Sequence, residues 1–291
     1  MKIAVLSGKG GTGKTFISVN LAAAAGNSTY IDCDAEEPNG RLFFKPENVQ
    51  SEQVYVKIPE FELDKCTGCR KCADFCRFNA LICIKNKPHI FENICHSCGA
   101  CALVCPSGAI KEKKRAVGSV EYGKHGKINA VTGVLNPGEE SSVPVINAAL
   151  KKGFEKSAEA VKDGIEGDII IDCPPGSACS VTESVSKADF CILAAEPTAF
   201  GLHNFRMVYR LVSLLGKKCC VVINKESEPY APLEKFCAEN NIPILLRIPY
   251  DERLAALGAN AKIAAEADEK YKAIFEKLLS GIKKIKKEAD A

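Results

Sequence analysis

Eight of the sixteen cysteines follow a repeated spacing of a kind that holds metal. The pattern C-x₂-C-x₂-C-x₃-C runs from Cys66 to Cys76 and again from Cys95 to Cys105. Three cysteines spaced in this way fit three corners of one iron–sulfur cubane. Zinc and a disulfide knot are the alternatives, but a structural zinc site takes four ligands and does not need eight in a repeat. The spacing therefore predicts iron–sulfur clusters.

A glycine-rich segment, Gly8–Thr15, follows the first apolar run and reads GKGGTGKT. Its spaced glycines satisfy the dinucleotide fingerprint, with Asp32 and Asp34 about twenty residues further on. The same segment satisfies the P-loop G-x-x-x-x-G-K-[ST], whose backbone N–H groups wrap phosphates at a helix N-terminus. Lys14 would reach the β- and γ-phosphates and the Thr15 hydroxyl would bind Mg²⁺. A nicotinamide site needs neither side chain, so the P-loop is favoured. The predicted nucleotide-binding residues here are Gly8, Gly10, Gly11, Thr12, Gly13, Lys14, Thr15 and Phe16.

Short apolar runs alternate with helical periodicity outside the cysteine repeat. Buried strands are predicted at residues 3–6, 29–32, 54–57, 168–172, 190–195, 219–223 and 244–248. Helices are predicted, for example, at residues 15–25, 202–215 and 232–240. Strands that alternate with helices form crossover units, so the predicted fold class is α/β with a mostly parallel sheet. Residues 116–145 are assigned only to connecting loops with a short hairpin.

The segment Lys9–Thr15 resembles the deviant Walker A motif of the MinD/ParA superfamily of P-loop ATPases, which includes the nitrogenase iron protein and the Mrp-type iron–sulfur carriers. In that superfamily the extra lysine, here Lys9, reaches across an ATP-bridged homodimer to the partner's nucleotide. The resemblance implies ATP and Mg²⁺ as ligands and an ATP-dependent homodimer. Phe16 stands where the family usually has a second hydroxyl residue, so we expect weaker nucleotide affinity. Thr12 replaces a commonly apolar residue.

Several downstream segments resemble the other motifs of this superfamily, in the same order. Asp34 matches the switch I aspartate that orients the attacking water, and Asp172 ends a Walker B strand, where it would hold a water of the Mg²⁺ shell. Gly176 follows in switch II, whose glycine N–H senses the γ-phosphate. Asn224 and the segment from Pro249 to Asp251 match the two strand ends beside the adenine. The resemblance covers residues 1–58 and 145–260. The implied catalytic residues are Lys9, Lys14, Asp34 and Asp172.

The cysteine repeat resembles the two-cluster bacterial ferredoxins, in which the fourth cysteine of each motif ligates the other cluster. The resemblance implies one [4Fe–4S] cluster on Cys66, Cys69, Cys72 and Cys105. It implies a second on Cys95, Cys98, Cys101 and Cys76. We therefore expect a ferredoxin-type α+β domain at residues 59–115, inserted into a discontinuous P-loop domain of residues 1–58 and 116–291. A third cluster bridging the dimer through Cys33, Cys173 or Cys179, near the switch segments, is a further hypothesis.

The overall composition is that of an ordinary globular protein. A net charge of +3, from 39 basic and 36 acidic residues, argues against nucleic acid as a partner. No window approaches the roughly 18 apolar residues of a membrane span, and the chain starts directly on a strand-like run without a signal peptide. We expect a cytoplasmic protein with reduced thiols. A basic amphipathic helix near the C-terminus leaves membrane contact open, although packing on its own domain is favoured.

Together these patterns predict an ATP-binding and ATP-hydrolysing dimeric switch that is coupled to electron transfer through two [4Fe–4S] clusters. Hydrolysis is expected to be slow and to be stimulated by an unidentified redox or iron–sulfur partner protein. One alternative is an iron–sulfur cluster assembly or carrier ATPase, which predicts labile, transferable clusters. The other is a cell-division or partitioning ATPase with a redox-sensing domain, which stimulation by DNA would favour.

Overall fold

The computed structural model describes residues 1–290. The strands are β1 (Lys2–Ser7), β2 (Ser28–Asp32), β3 (Glu47–Phe61), β4 (Leu81–Ile84), β5 (Lys87–Ile90), β6 (Ile110–His125), β7 (Ile128–Leu135), β8 (Asp168–Asp172), β9 (Phe190–Ala195), β10 (Cys219–Glu226) and β11 (Ile244–Pro249). The helices are α1 (Lys14–Ala25), α2 (Gly40–Phe44), α3 (Lys71–Phe75), α4 (Ala100–Leu103), α5 (Val143–Lys162), α6 (Cys179–Ser186), α7 (Ala199–Leu214), α8 (Ala231–Glu239), α9 (Glu252–Ala259), α10 (Ala264–Ala267) and α11 (Glu269–Asp290).

A nine-stranded sheet in the order β11-β10-β9-β1-β8-β2-β7-β6-β3 forms the centre of the fold. The strands from β11 to β7 run parallel, and β6 and β3 extend the sheet in antiparallel pairing. On β1, Ile3 and Val5 face one hydrophobic layer, while Ala4 and Leu6 face the other. A strand covered on both faces needs such a continuous apolar run, because its side chains alternate between the faces. The predicted α/β class with a mostly parallel sheet is confirmed.

Six of the seven predicted strands are confirmed as strands of the parallel part, and the three predicted helices correspond to α1, α7 and α8. The prediction of a strand at residues 54–57 is confirmed, but the prediction that this strand is buried throughout is wrong. These residues belong to β3, which pairs only with β6 at the edge of the sheet, and the Tyr55 side chain is 55% exposed. A strand with one open edge and one open face needs no continuous apolar run, which explains why its true length was missed.

The hairpin predicted within residues 116–145 is confirmed, because β6 and β7 pair antiparallel from Gly118 to Leu135. The connecting loops predicted around it are largely wrong, because β6 and β7 occupy most of residues 116–135. β7 lies in this segment and is inserted between β2 and β6 in the sheet. Its buried polar side chains, Asn129 and Thr132, interrupt the apolar run. The hydrophobic pattern of the sequence therefore does not indicate a buried strand here. The Asn129 side chain is satisfied, because its amide donates to the Thr29 hydroxyl at 3.4 Å.

Residues 62–109, which we call the cysteine excursion, leave the sheet between β3 and β6. The offset that carries Cys66 onto Cys95 in the sequence recurs in the strand pairing. Pro59 on β3 lies opposite Glu112 on β6, and the counterpart of Pro59 in the repeat, Pro88 on β5, lies opposite the counterpart of Glu112, Cys83 on β4. The two halves of the repeat therefore exchange strands and form an interlocked pair. The predicted insertion at residues 59–115 encloses this excursion.

Two strands connect the cysteine excursion to the sheet, and we call them the β3–β6 arm. β6 pairs with β7 only from Gly118 to His125, whereas its pairing with β3 continues to Ile110. The β3–β6 register shifts at Val117, where β6 carries one extra residue. Such a bulge bends a strand pair. The arm leaves the sheet at this bulge.

α11 closes one face of the sheet beside α1. Its buried apolar side chains are Phe275, Leu278, Leu279 and Ile282. At its polar side, Lys283 Nζ lies 2.7 Å from Asp168 Oδ2. The apolar face of the predicted amphipathic helix is thus covered by the chain itself, the arrangement that the sequence analysis favoured. In the described part of the chain, no helix combines the length and the apolar character that crossing a bilayer requires.

Candidate nucleotide and cysteine sites

The glycine-rich segment joins the end of β1 to the first turn of α1. Gly13 has φ +96° and immediately precedes α1, and a side chain on it would collide with the Asn224 amide. That amide donates from Nδ2 to the Thr12 carbonyl at 2.8 Å. The segment is therefore held against the end of β10, and the unpaired N–H groups of the first turn of α1 form an anion-binding end.

Lys14 lies between two of the predicted catalytic carboxylates. Its side chain is 7% exposed, and its Nζ is 3.3 Å from Asp34 Oδ2 and 3.5 Å from Asp172 Oδ1. Burial by itself would lower the pKa of Lys14, but attraction to Asp172 and Asp34 outweighs burial and holds the pKa above its ordinary value. The ammonium is therefore charged at neutral pH. The fold brings together three residues that lie far apart in the sequence.

Two buried aspartates end the neighbouring strands β2 and β8. Asp32 accepts hydrogen bonds from the backbone N–H groups of Asp34 at 3.1 Å and Gly40 at 2.8 Å, and so fixes the turn that carries Asp34. Burial and the nearby Asp172 charge raise the pKa of Asp32. Asp172 accepts a hydrogen bond from the Tyr30 hydroxyl at 2.9 Å. Neither the Tyr30 hydroxyl nor the structural role of Asp32 was predicted from the sequence.

An open cavity in front of the glycine-rich segment is lined by Thr15, Asp34 and the Pro174–Pro175 turn. In the described structure, the buried Oδ1 atom of Asp172 has no hydrogen-bond partner. This oxygen faces the Lys14 ammonium at 3.5 Å. A carboxylate oxygen and a threonine hydroxyl are hard ligands that suit Mg²⁺. Gly176, with φ +91°, donates its N–H to the Ser7 carbonyl at 2.9 Å. The group predicted to sense a γ-phosphate is thus bonded to β1 here.

Lys9 is held by an acidic residue that the sequence analysis missed. Its Nζ lies 2.6 Å from Glu196 Oε2, and the other carboxylate oxygen of Glu196 lies 3.0 Å from Lys225 Nζ. Burial would raise the pKa of Glu196, but hydrogen bonds from Lys9 and Lys225 lower it below its ordinary value. Glu196 directly follows β9, so its position at a strand end was the available signal. This bridge keeps the Lys9 ammonium on its own chain.

The two segments predicted to lie beside the adenine meet in one largely apolar groove next to α9. It is lined by residues that include Phe16, Asn224, Pro249, Asp251 and Leu254. The Phe16 ring also packs edge-to-face on Phe275, with ring centroids 6.2 Å apart. Asp251 has a structural task as well, because its Oδ1 accepts from the N–H groups of Arg253 and Leu254 and caps α9. The groove suits a flat apolar ring.

The eight cysteines of the repeat line two separate cavities, four in each. The first cavity is lined by residues that include Cys66, Cys69, Cys72 and Cys105. The second cavity is lined by residues that include Cys76, Cys95, Cys98 and Cys101. The fourth cysteine of each motif therefore lines the cavity of the other motif, which is the grouping that the ferredoxin resemblance implies.

Both cysteine loops share an unusual backbone. Gly68 and Arg70 have φ values of +70° and +62°, and their counterparts in the second copy of the repeat, Ser97 and Gly99, have values of +55° and +71°. The left-handed backbone conformation is uncommon for residues other than glycine, and it costs about 1 kcal/mol or more at each such residue. Repetition of this geometry in both loops shows that the loops wrap their cavities in the same way.

The donor set of each cavity fits a [4Fe–4S] cluster, although no three His, Cys, Asp or Glu side chains in the described residues already have the mutual spacing of a metal site. Four thiols and a partly buried setting are the chemistry that such a cluster requires. Burial and then the neighbouring Cys83 thiol raise the pKa of Cys72 to about 11. Cys83 was not singled out from the sequence, and it lines the first cavity.

The hypothesis of a third, bridging cluster fails for two of its three cysteines. Cys33 and Cys173 are fully buried in the hydrophobic layer and cannot reach a second chain. Burial raises the pKa of both thiols, which keeps them protonated and unreactive. Cys179 is exposed at the start of α6.

The glycine-rich turn, the lysine between strand-end carboxylates and the parallel sheet define an α/β P-loop nucleotide-binding protein. The sequence matches the CobQ/CobB/MinD/ParA nucleotide binding domain over residues 3–263, and the chain belongs to this family. Uncharacterized protein MJ0578 of Methanocaldococcus jannaschii is 31% identical over 290 residues, which is 96% of each chain. Uncharacterized protein MJ0579 of the same organism is 27% identical over 258 residues, 87% of each chain. The septum site-determining protein MinD from Pyrococcus horikoshii, complexed with Mg-ADP, has a similar fold, with a TM-score of 0.57 and 18% identity over 98% of this chain and 96% of that chain.

Proposed function

We propose that this protein is an ATP-hydrolysing switch that dimerises with ATP and carries two [4Fe–4S] clusters for electron transfer. One observation carries the proposal: a P-loop lysine paired with two strand-end carboxylates occurs in the same chain as two cavities that each gather four thiols. The β3–β6 arm joins the cavities to the sheet that holds the P-loop. Nucleotide state and cluster position are therefore linked through one sheet.

Binding of ATP would first alter the ion pairs of the Lys14 ammonium. Phosphate oxygens compete with Asp34 and Asp172 for this ammonium, which lies 3.3 and 3.5 Å from the two carboxylates. Once Lys14 turns to phosphate, Asp34 is released to orient the attacking water. Thr15 and the Asp172 oxygen that Lys14 has left would then serve as hard ligands for the Mg²⁺ shell.

The cysteine excursion supplies the redox part of the proposal. Its first cavity would hold one cluster through Cys66, Cys69, Cys72 and Cys105. Its second cavity would hold the other through Cys76, Cys95, Cys98 and Cys101. A [4Fe–4S] cluster, when bound, supplies one-electron transfer. The redox partner is a protein that docks at the excursion.

Lys9 must leave Glu196 before it can cross to a second subunit. We expect Glu196→Gln to strengthen dimerisation with a non-hydrolysable ATP analogue by about two- to fivefold, because a partly exposed ion pair is worth up to about 1 kcal/mol. Sedimentation equilibrium measures the change. Glu226→Gln, which breaks a surface pair with Arg247, is the matched control and should leave the dimer affinity unchanged. Equal affinities for Glu196→Gln and the wild type would mean that Glu196 does not restrain Lys9.

Anaerobic reconstitution with iron and sulfide tests the cluster assignment. We expect about eight irons per chain, as two four-iron clusters require. Mg·ATP should then shift a cluster midpoint potential by about 60 mV, equivalent to a tenfold difference in nucleotide affinity between the two redox states. A chain that binds no stoichiometric iron would overturn the redox proposal. Eight irons with unchanged potentials would overturn the coupling between nucleotide and clusters.

A second candidate function is a cell-division or partitioning ATPase in which the clusters act as sensors. The likeness of the fold to MinD favours it. ATPase measurements in the presence of DNA and of anionic liposomes separate the two candidates. Strong stimulation by either surface, together with unchanged cluster potentials, would favour the second candidate. An iron–sulfur carrier would instead transfer its clusters to an apo-ferredoxin within minutes.

A further inference from the structure

The first cavity contains a fifth thiol for which the ferredoxin pattern does not account. Cys83 lines this cavity together with Cys66, Cys69, Cys72 and Cys105. It lies on β4, where Leu81 is buried, Cys83 is half-buried, and Ile82 and Ile84 are exposed. Because side chains alternate along a strand, Cys83 shares the inner face with Leu81. Its thiol is therefore part of the cavity wall.

Cys83 is also close to one particular cysteine of the repeat. Cys72 and Cys83 both line the first cavity. The elements that carry the two residues, α3 and β4, pack together. Cys83 is fixed on the other side by the hairpin, where it lies opposite the buried Pro88. The pair therefore has a defined place rather than a loop's freedom.

The second cavity provides an internal comparison, because it has a carboxylate where the first cavity has this thiol. Glu112 is the counterpart of Cys83 in the repeat, and it lines the second cavity. Glu112 lies opposite Pro59 as Cys83 lies opposite Pro88. Its Oε2 is 3.2 Å from Lys57 Nζ, so the carboxylate is engaged in an ion pair. Iron in a sulfide cluster favours soft thiolate over such an oxygen ligand.

We propose that Cys83 is a reserve ligand for the iron–sulfur cluster of the first cavity, placed to take over from Cys72. The inference rests on the proposed function, since it needs a cluster in that cavity. In the exchange, the Fe–S bond to Cys72 breaks and one to Cys83 forms. The Cys83 thiol releases its proton, the departing Cys72 thiolate takes one up, and no electron is transferred. Among the described residues that line the second cavity, no fifth cysteine can do the same.

Single and paired substitutions in the reconstituted full-length chain test this proposal through iron content and electron paramagnetic resonance. Cys83→Ala should keep about eight irons, because four ligands remain at each site. Cys72→Ala should also keep them, with Cys83 as the fourth ligand. Cys72→Ala/Cys83→Ala should lose iron and give the signal of an oxidised three-iron cluster. Binding of a fluorescent ADP analogue checks that each variant is folded.

The second cavity supplies the matched control. Cys101→Ala, at the counterpart of Cys72, should give the three-iron signal at once, because Glu112 stands in place of the reserve thiol. Adding Glu112→Cys to Cys101→Ala should restore the four-iron cluster, which tests the proposal even if Cys72→Ala does not fold.

Two results would overturn the reserve-ligand proposal. One is an equal iron loss in Cys72→Ala and Cys72→Ala/Cys83→Ala, and the other is a Cys101→Ala/Glu112→Cys chain that stays at three irons. Both leave the wild-type clusters intact, so they are distinct from failure of the proposed function, in which the wild-type chain itself binds no iron.

Discussion

Lys14→Ala is expected to lower kcat/KM for ATP hydrolysis by about 10²- to 10³-fold, the range seen when a preorganised donor to transition-state charge is removed. The reason is geometric: Lys14 is the buried cation between Asp34 and Asp172, and without it phosphate oxygens would meet two carboxylates. Steady-state phosphate release measures the loss. Lys235→Ala is the control, because Lys235 lies in an exposed surface pair with Glu239 on α8. It should cost less than about tenfold, in line with a screened surface contact.

The same substitution should change how stability depends on pH. Burial raises the pKa of Asp34, and the Lys14 charge is the largest cause that opposes burial. Without Lys14 the pKa of Asp34 rises further, so folding disfavours its ionised form more strongly. The deficit in unfolding free energy relative to the wild type is therefore present above the folded pKa of Asp34 and shrinks as the pH falls through it. Urea denaturation across the acidic range measures this, and a deficit that is independent of pH would contradict the ion-pair assignment.

Deleting residues 272–291 is expected to unfold the protein. The deletion removes the buried side chains of Phe275, Leu278, Leu279 and Ile282. At about 2–5 kcal/mol for each large apolar side chain, the loss is comparable with the whole stability of a typical domain, about 5–15 kcal/mol. A truncated chain that fails to bind liposomes would therefore reveal nothing about membrane contact. Soluble expression and circular dichroism measure the outcome.

Single substitutions on α11 measure how much its packing on the sheet contributes to stability. Ile282→Ala should lower the unfolding free energy by about 2–5 kcal/mol, because Ile282 is fully buried. Lys284→Ala, on the exposed side of α11, should change it by less than about 0.5 kcal/mol. Chemical denaturation of both variants compares them directly. Equal stabilities would mean that α11 does not pack on the sheet in solution.

The nucleotide site was largely predictable because its parts end parallel strands. Lys14 and Asp34 come after β1 and β2, and Asp172 and Asn224 lie near the carboxyl ends of β8 and β10. The carboxyl ends of these parallel strands meet at one edge of the sheet. An apolar run followed by a charged or amide residue therefore indicates both the strand and the place of the side chain. The same reasoning applies to Pro249, which ends β11 and lines the apolar groove.

The residues that escaped prediction act through pairings that a one-dimensional pattern does not contain. Glu196 matters because two lysines reach it from other segments, and Tyr30 because its hydroxyl crosses to β8. Cys83 gains meaning only through the exchanged strands that bring β4 to the first cavity. β7 was missed because its buried polar side chains resemble those of a loop. The roles of these residues follow from their burial and their spatial partners, which the amino-acid composition does not contain.

The β3–β6 arm has a mechanical consequence. β6 is hydrogen-bonded to β7, which is hydrogen-bonded to β2, and β2 ends at Asp32. Two paired strands transmit torque, which a single-chain tether does not. From the bulge at Val117 to its far end at Ile110, the arm is on the order of 20 Å long at about 3.4 Å per residue. A tilt of about 10° at the bulge would move the far end by about 3.5 Å. Under the proposed function, in which an electron crosses from this arm's far end to a docked partner, a small twist at the nucleotide edge would therefore change the tunnelling distance and with it the transfer rate.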